Sequence, residues 1–227
     1  FGAGGIFILN RSAERDSYGF AIVLDEGGRA VITGGAVMPG DDTSSIATVR
    51  LGRDGMPDPS FGDGGLVVYP GAAEGPDYGN WVSIMPDGRI VVTGAETGST
   101  GSYDIVVIRY HPDGSRDTTF GDDGVVLYQG SGYDYAWGQT LMPDGSIIIA
   151  GTTEVRGNSL PLLLRYGPDG RPDPSFGEHG VWTFESFGSG MLYGVHLDEA
   201  GYLYANGYIT KEGKDISLLV KIPLSDG

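Results

Sequence analysis

His111-Pro112-Asp113-Gly114-Ser115-Arg116-Asp117-Thr118-Thr119-Phe120-Gly121-Asp122-Asp123-Gly124 has close copies along the chain, and their spacing decides the fold. Arg53-Asp54-Gly55-Met56-Pro57-Asp58-Pro59-Ser60-Phe61-Gly62-Asp63-Gly64-Gly65 is one, and Gly167-Pro168-Asp169-Gly170-Arg171-Pro172-Asp173-Pro174-Ser175-Phe176-Gly177-Glu178-His179-Gly180 is another. The closing half of the motif, Phe1-Gly2-Ala3-Gly4-Gly5, opens the chain, and its first part, Ser225-Asp226-Gly227, ends it. The Phe-Gly glycines, Gly2, Gly62, Gly121 and Gly177, set periods of 60, 59 and 56 residues. Four repeats follow, approximately 1–60, 61–119, 120–175 and 176–227, within a single domain spanning 1–227.

A second set of glycines, Gly28, Gly88, Gly145 and Gly201, sits in hairpin-type turns such as Pro86-Asp87-Gly88 and Pro143-Asp144-Gly145. Asp and Gly tolerate the backbone angles of tight turns, which is why they collect there. Six residues after each comes another glycine, Gly34, Gly94, Gly151 and Gly207. A constant offset of this kind predicts a strand of fixed length with a backbone constraint at its end.

Between these markers each repeat has four Val- and Ile-rich runs, in the second repeat at residues 65–69, 79–85, 89–93 and 104–110. No run of adequate length has the helical period, so little helix is expected. The stretches 95–103 and 152–159 vary between repeats and read as surface loops. Repeats of this length with four antiparallel strands predict an all-β fold, a β-propeller of four four-stranded blades. The cut motif implies how the ring closes: the N-terminal strand, residues 5–9, completes the C-terminal blade beside residues 216–222, and hides both edges. The alternative is half of a larger propeller.

The pairing of Pro-Asp-Gly with Asp-x-Ser/Thr-Phe-Gly and a Val/Ile strand ending in Gly resembles the delta-60 repeat family of bacterial proteins. Met142-Pro143-Asp144-Gly145 with residues 147–151, and Tyr110 with the motif through Gly124, carry the resemblance. Leu24-Asp25-Glu26-Gly27-Gly28 and Ile222-Pro223-Leu224-Ser225-Asp226-Gly227 depart from it. The resemblance implies a propeller-like fold and a secreted, cell-surface or periplasmic location, and it implies no catalytic residues.

Composition narrows the function classes. The 41 Gly and 13 Pro mark dense turns, while 40% apolar residues suffice for a core. A net charge of −16 with only 14 Lys and Arg disfavours nucleic acid as a partner, because phosphate binding needs clustered cations. The absence of Cys excludes disulfides and thiol chemistry. No apolar run reaches the length of a membrane span, so direct membrane insertion is not expected. The first residue is Phe1, not Met, so a trimmed product is expected.

Three groups of side chains recur. Asp58, Asp117 and Asp173 stand three residues before each phenylalanine. They read either as turn-fixing acceptors or, with Asp63, Asp122, Asp123 and Glu178, as calcium ligands; no other cofactor is expected. Arg50, Arg109 and Arg165, with Lys221 in the last repeat, lie late in the third strands. They read either as bidentate partners of those aspartates or as solvent-facing charges.

The third group begins the inner strands: Asp16 with Tyr18, Asp77 with Tyr78, and Asp134 with Tyr135 and Trp137, a series broken by Ser189-Gly190-Met191. These read as a ligand-binding channel mouth or as packing between blades. His111 and His179 fall in turns and His196 on an inner strand, where a core imidazole is expected. No spacing points to catalytic groups or a metal centre. The expected function is a non-enzymatic binding or scaffold module that presents loops to a protein partner or glycan, as a monomer or a component of a larger assembly. The alternatives are a structural subunit and a channel-mouth hydrolase or lyase.

Overall fold

The structure, a computed structural model, describes residues 5–6, 16–72 and 75–224. It is all-β, with one short 3-10 turn at Glu185–Phe187. The first sheet contains β1 (Ser17–Leu24), β2 (Ala30–Val37), β3 (Ser44–Leu51) and β4 (Leu66–Tyr69). The second contains β5 (Tyr78–Ile84), β6 (Ile90–Thr97), β7 (Tyr103–Tyr110) and β8 (Val125–Tyr128). β9 (Tyr135–Leu141), β10 (Ile147–Val155), β11 (Asn158–Tyr166) and β12 (Val181–Thr183) form the third. The fourth has three strands among the described residues, β13 (Gly190–Leu197), β14 (Tyr202–Lys211) and β15 (Lys214–Pro223). All pairings are antiparallel, and each of the first three sheets takes its last strand from the segment after a Phe-Gly motif. The N-terminal strand at 5–9 falls mostly outside the described residues, as do Phe1-Gly2 and Ser225-Asp226-Gly227.

Gly28, Gly88, Gly145 and Gly201 adopt φ of 71°, 84°, 86° and 80°, the left-handed region their turns require. The glycines six residues further on do not end their strands, contrary to the sequence expectation. β6 runs through Gly94 to Thr97, and β10 runs through Gly151 to Val155. The variable stretch at 152–159 is therefore mostly strand, joined by a tight turn at Arg156 and Gly157 with φ of 54° and 77°. These glycines mark a β-bulge instead. The ladder between first and second strands slips by one residue at Phe20, Asn80, Trp137 and Tyr193. A Cβ on Gly94 would stand 2.0 Å from the Tyr78 carbonyl oxygen, and on Gly151 2.0 Å from that of Tyr135. Only glycine lets the bulged strand come that close.

The sheets stack face to face in chain order. Val31 and Ile46 of the first meet Ile90, Val92, Val106 and Ile108 of the second. Val91, Ile105 and Val107 meet Ile147, Ile149, Leu162 and Leu164 of the third. Ile148, Ala150 and Leu163 meet Leu192, Leu203 and Ala205 of the fourth. Burial on both faces explains why the middle strands read as unbroken Val and Ile rather than alternating. The first strands lie side by side, β1 against β5, β5 against β9 and β9 against β13. Among the described residues no comparable packing returns from the fourth sheet to the first.

The repeated motif is the clasp between neighbouring sheets. Phe61, Phe120 and Phe176 are buried, each burial worth roughly 1.5–3 kcal/mol. The Gly62 N–H donates to the Asp113 carbonyl in the next copy of the motif at 2.7 Å, and Gly121 donates likewise to Asp169 at 2.8 Å. Arg50 and Arg109 are buried, not solvent-facing, and lie over the Phe61 and Phe120 rings at 4.8 and 4.4 Å. Each gives only Nε to its aspartate, so the expected bidentate bridge is not formed: Arg50 to Asp58 Oδ2 at 2.9 Å, and Arg109 to Asp117 Oδ2 at 2.8 Å. Their Nη1 atoms reach onward to the Pro112 and Pro168 carbonyls of the next repeat. One guanidinium thus joins its own motif to the neighbouring sheet. Arg165 Nε also lies 2.9 Å from Asp173, but out of line for a hydrogen bond, so that contact is ionic only.

Candidate functional site

The bulge turns one residue of each first strand out of the regular alternation, and three of the four are aromatic: Phe20, Trp137 and Tyr193. With Tyr18, Tyr78, Tyr103, Tyr133, Tyr135 and Tyr208 they form an unbroken series of ring contacts from the first sheet to the fourth. Adjacent centroids are 4.8 to 6.4 Å apart, within the range of favourable aromatic pairs. Tyr18, Phe20, Tyr133, Trp137 and Tyr193 are exposed, from 37% at Trp137 to 52% at Phe20 and Tyr133, while Tyr78 and Tyr135 are half-buried beneath them. An apolar groove of about 310 Å³, bordered by Ser17, Tyr18, Gly34 and Ala36, flanks the first end of this belt. A larger groove near Asp25, Arg29 and Pro86 lies at the opposite ends of the strands.

Of the expected channel-mouth residues, Tyr18, Tyr78, Tyr135 and Trp137 are in the belt and Asp16 is at its edge. The Tyr18 hydroxyl donates to Asp16 Oδ2 at 2.9 Å, a bond that raises the Tyr18 pKa. Asp77 and Asp134 are fully buried below the belt and out of reach of a bound molecule. Their amides tie each inner strand to the preceding sheet, Asp77 to the Ser44 carbonyl and Asp134 to that of Tyr103, both at 2.8 Å. Asp77 Oδ1 accepts the Thr97 N–H at 2.8 Å, and Asp134 Oδ2 accepts that of Gly130 at 2.6 Å. Asp77 Oδ2 has no hydrogen-bond partner among the described residues. Burial pushes the Asp77 carboxyl up to about 7, aided by the charge of buried Glu96, and burial raises Asp134 and Glu96 as well.

The motif aspartates are held the other way. Burial opposes charge on Asp58, but the Ser60 hydroxyl and amide and the Arg50 guanidinium outweigh it and hold the carboxyl at about 2. Thr119, Arg89 and Arg109 overcome burial at Asp117 in the same manner. The Phe amides bond to the aspartate backbone carbonyls rather than to the carboxylates. Ser, Thr and Arg therefore occupy the oxygens that calcium needs, and among the described residues no three His, Asp or Glu are grouped to hold a metal. His196 is exposed on β13, where a core imidazole was expected, and His111 and His179 lie in other repeats. No described helix is long and apolar enough to cross a membrane.

Phe20, Tyr103, Tyr133, Tyr193 and Tyr208 escaped the sequence reading. A signal for the bulged positions exists: Phe20, Asn80, Trp137 and Tyr193 each stand 14 residues before the constrained glycine of their repeat.

Stacked antiparallel sheets, turn-to-turn clasps and a belt on the first strands together define a propeller-type repeat protein. Residues 86–120 and 143–176 match the sequence model of a β-propeller domain of unknown function, DUF5122. No curated protein matches the chain. The fold is similar to that of fructan 1-exohydrolase IIa from Cichorium intybus, with 10% identity and a TM-score of 0.42, covering 89% of this chain and 41% of that one. This chain thus spans about two fifths of that enzyme's length. A mannose phosphorylase from Leishmania mexicana, in complex with phosphate ion, is similar at 12% identity and a TM-score of 0.28, over 92% of this chain and 84% of that one.

Proposed function

We propose that the chain is a non-enzymatic propeller module that binds a neutral glycan on its aromatic belt. The observation that carries this reading is the continuity of the belt: exposed rings on β1, β9 and β13 joined through Tyr78 and Tyr103. Ring faces cover the apolar faces of sugars, and tyrosine hydroxyls hydrogen-bond at the rim. The net charge of −16 disfavours an anionic ligand. An extracytoplasmic site of action rests on the resemblance to delta-60 repeats.

In this reading the four sheets are four blades, and the ring closes as the N-terminal segment completes the fourth sheet. Two observations support it. The fourth sheet lacks a last strand among the described residues, while the other three have one. Ile22 and Leu24 on β1 are each 65% exposed, whereas Val82, which occupies the place of Ile22 on β5, is 4% exposed under the first sheet. The hydrolase alternative has the raised Asp77 in its favour, but that carboxyl lies beneath the belt. A catalytic acid must touch its substrate.

The test is gel retardation of the purified chain by laminarin, xyloglucan and galactomannan. Retardation by at least one, lost in Trp137→Ala and Tyr193→Ala at unchanged thermal midpoint, is expected. Equal mobility in all three sinks the glycan reading, and release of reducing sugar would revive the hydrolase one.

A further inference from the structure

The belt is not uniform. Tyr18 and Phe20 on β1 form a near-parallel pair, centroids 6.1 Å apart and planes at 18°. Tyr135 and Trp137 on β9 form a second, at 5.6 Å and 16°. The same bulge builds both, with a tyrosine just before the residue facing the constrained glycine and a second ring just after it. The sheets between and beyond lack such a pair: the second has Tyr78 followed by Asn80, and the fourth has Met191 followed by Tyr193. Asn80 Nδ2 is spent on the Ala136 carbonyl at 2.9 Å, which fixes β5 to β9. Between the two pairs, Phe20 meets Tyr78 edge-on at 82°, so the intervening ring does not continue the plane.

Resting on the glycan reading above, we propose that the ligand is an extended, unbranched neutral polysaccharide that engages both ring pairs at once. The pairs are separated by one intervening sheet, roughly 10 to 20 Å given the ~10 Å spacing of stacked sheets, farther than one sugar ring reaches. A single sugar therefore meets one pair, whereas a chain meets both, and the second contact forms at high effective concentration. Asp16, exposed and bonded to Tyr18, sets a carboxylate at the β1 pair, which selects against uronic-acid chains.

Calorimetric titration with laminari-, xylo- and manno-oligosaccharides from monosaccharide to hexasaccharide tests this. In the series that binds, affinity is expected to rise at least about tenfold between disaccharide and hexasaccharide. Phe20→Ala should erase that rise, and Phe20→Leu, which keeps the bulk without the ring, should do the same. A hexasaccharide bound no more tightly than a monosaccharide overturns the two-pair inference and leaves the glycan surface standing. So does a rise that survives both Phe20 variants. Failure of every length in all three series overturns the surface and the inference together.

Discussion

Arg109 Nε lies 2.8 Å from Asp117 Oδ2 with both side chains 99% covered, the most deeply buried ion pair of the repeated motif. Burial by itself disfavours the charge on Arg109. It is retained because Asp117 faces it and because the other nitrogens of the group are also used, on the Pro168 carbonyl and the Thr119 hydroxyl, against the like charge of Arg89, which shares the same carboxylate at 3.1 Å. Removing Arg109 takes the nearest cation from the buried Asp117 and leaves Arg89 and Thr119 to hold it. Arg109→Met is therefore expected to cost about 3 kcal/mol in urea unfolding. Arg165→Met, at a half-open site where Nε is out of line with Asp173, should cost about 1 kcal/mol or less. Equal losses at the two sites would show that the clasp does not depend on burial.

The bulge glycines make a sharper demand. A Cβ on Gly34 would come within 1.7 Å of the Tyr18 carbonyl oxygen, and on Gly207 within 1.9 Å of that of Met191. Backbone cannot step aside without closing the bulge that presents Phe20 and Tyr193. Gly94→Ala, in the middle of the stack, should destabilise by roughly 3 kcal/mol or more. Gly201→Ala, where a Cβ meets nothing but φ is +80°, should cost about 1 kcal/mol. Thermal midpoints of the two variants give the comparison.

These two sites also show how far the sequence could be read. The repeat period, the turn glycines and the eight-residue spacing of Arg109 and Asp117 are local, so their pairing was visible as one of two options. The constrained glycine was visible too, but as a strand end. A bulge shifts register by one residue without changing composition, so alternation gave no sign that Phe20 and Tyr193 belong with Trp137. Asp77 and Asp134 look like site residues in sequence because they stand beside Tyr78 and Tyr135. Strand geometry sends neighbours to opposite sides, and the carboxylates go inward. Ring contacts across sheets, such as Tyr103 with Tyr135, depend on stacking that no single repeat encodes.

The two sets of acids imply opposite limbs in the pH dependence of stability. Asp77 is pushed up to about 7 in the folded chain, against about 3.9 when unfolded. The folded state thus binds its proton more tightly. Stability is gained as pH falls through about 7 and is fully present below the unfolded value. Asp58, held at about 2, acts in reverse: its contribution is present above the unfolded value and is lost as pH falls toward 2. Urea midpoints should therefore pass through a maximum near pH ~4–5. Asp77→Asn should flatten the upper limb in part, with Glu96 and Asp134 keeping the remainder. Midpoints that fall steadily from pH ~8 to ~5 would contradict the burial of Asp77.

Ring closure has its own signature, because the chain has no native cysteine to interfere. Ile22 on β1 and Leu219 on β15, 65% and 72% exposed, lie on the two end sheets of the stack. Leu219 pairs with Asn206, at the place where Val107 and Leu163 pack against the following sheet. If the first sheet packs on the fourth as each sheet packs on its predecessor, the two side chains meet. Ile22→Cys with Leu219→Cys should then join within one chain on mild oxidation or with a short bis-maleimide. The product would migrate faster in denaturing electrophoresis at unchanged mass. A covalent dimer would instead show the end sheets meeting between two copies, as in half of a larger ring. Two free thiols under both treatments would mean that the stack stays open and that its aliphatic ends face solvent.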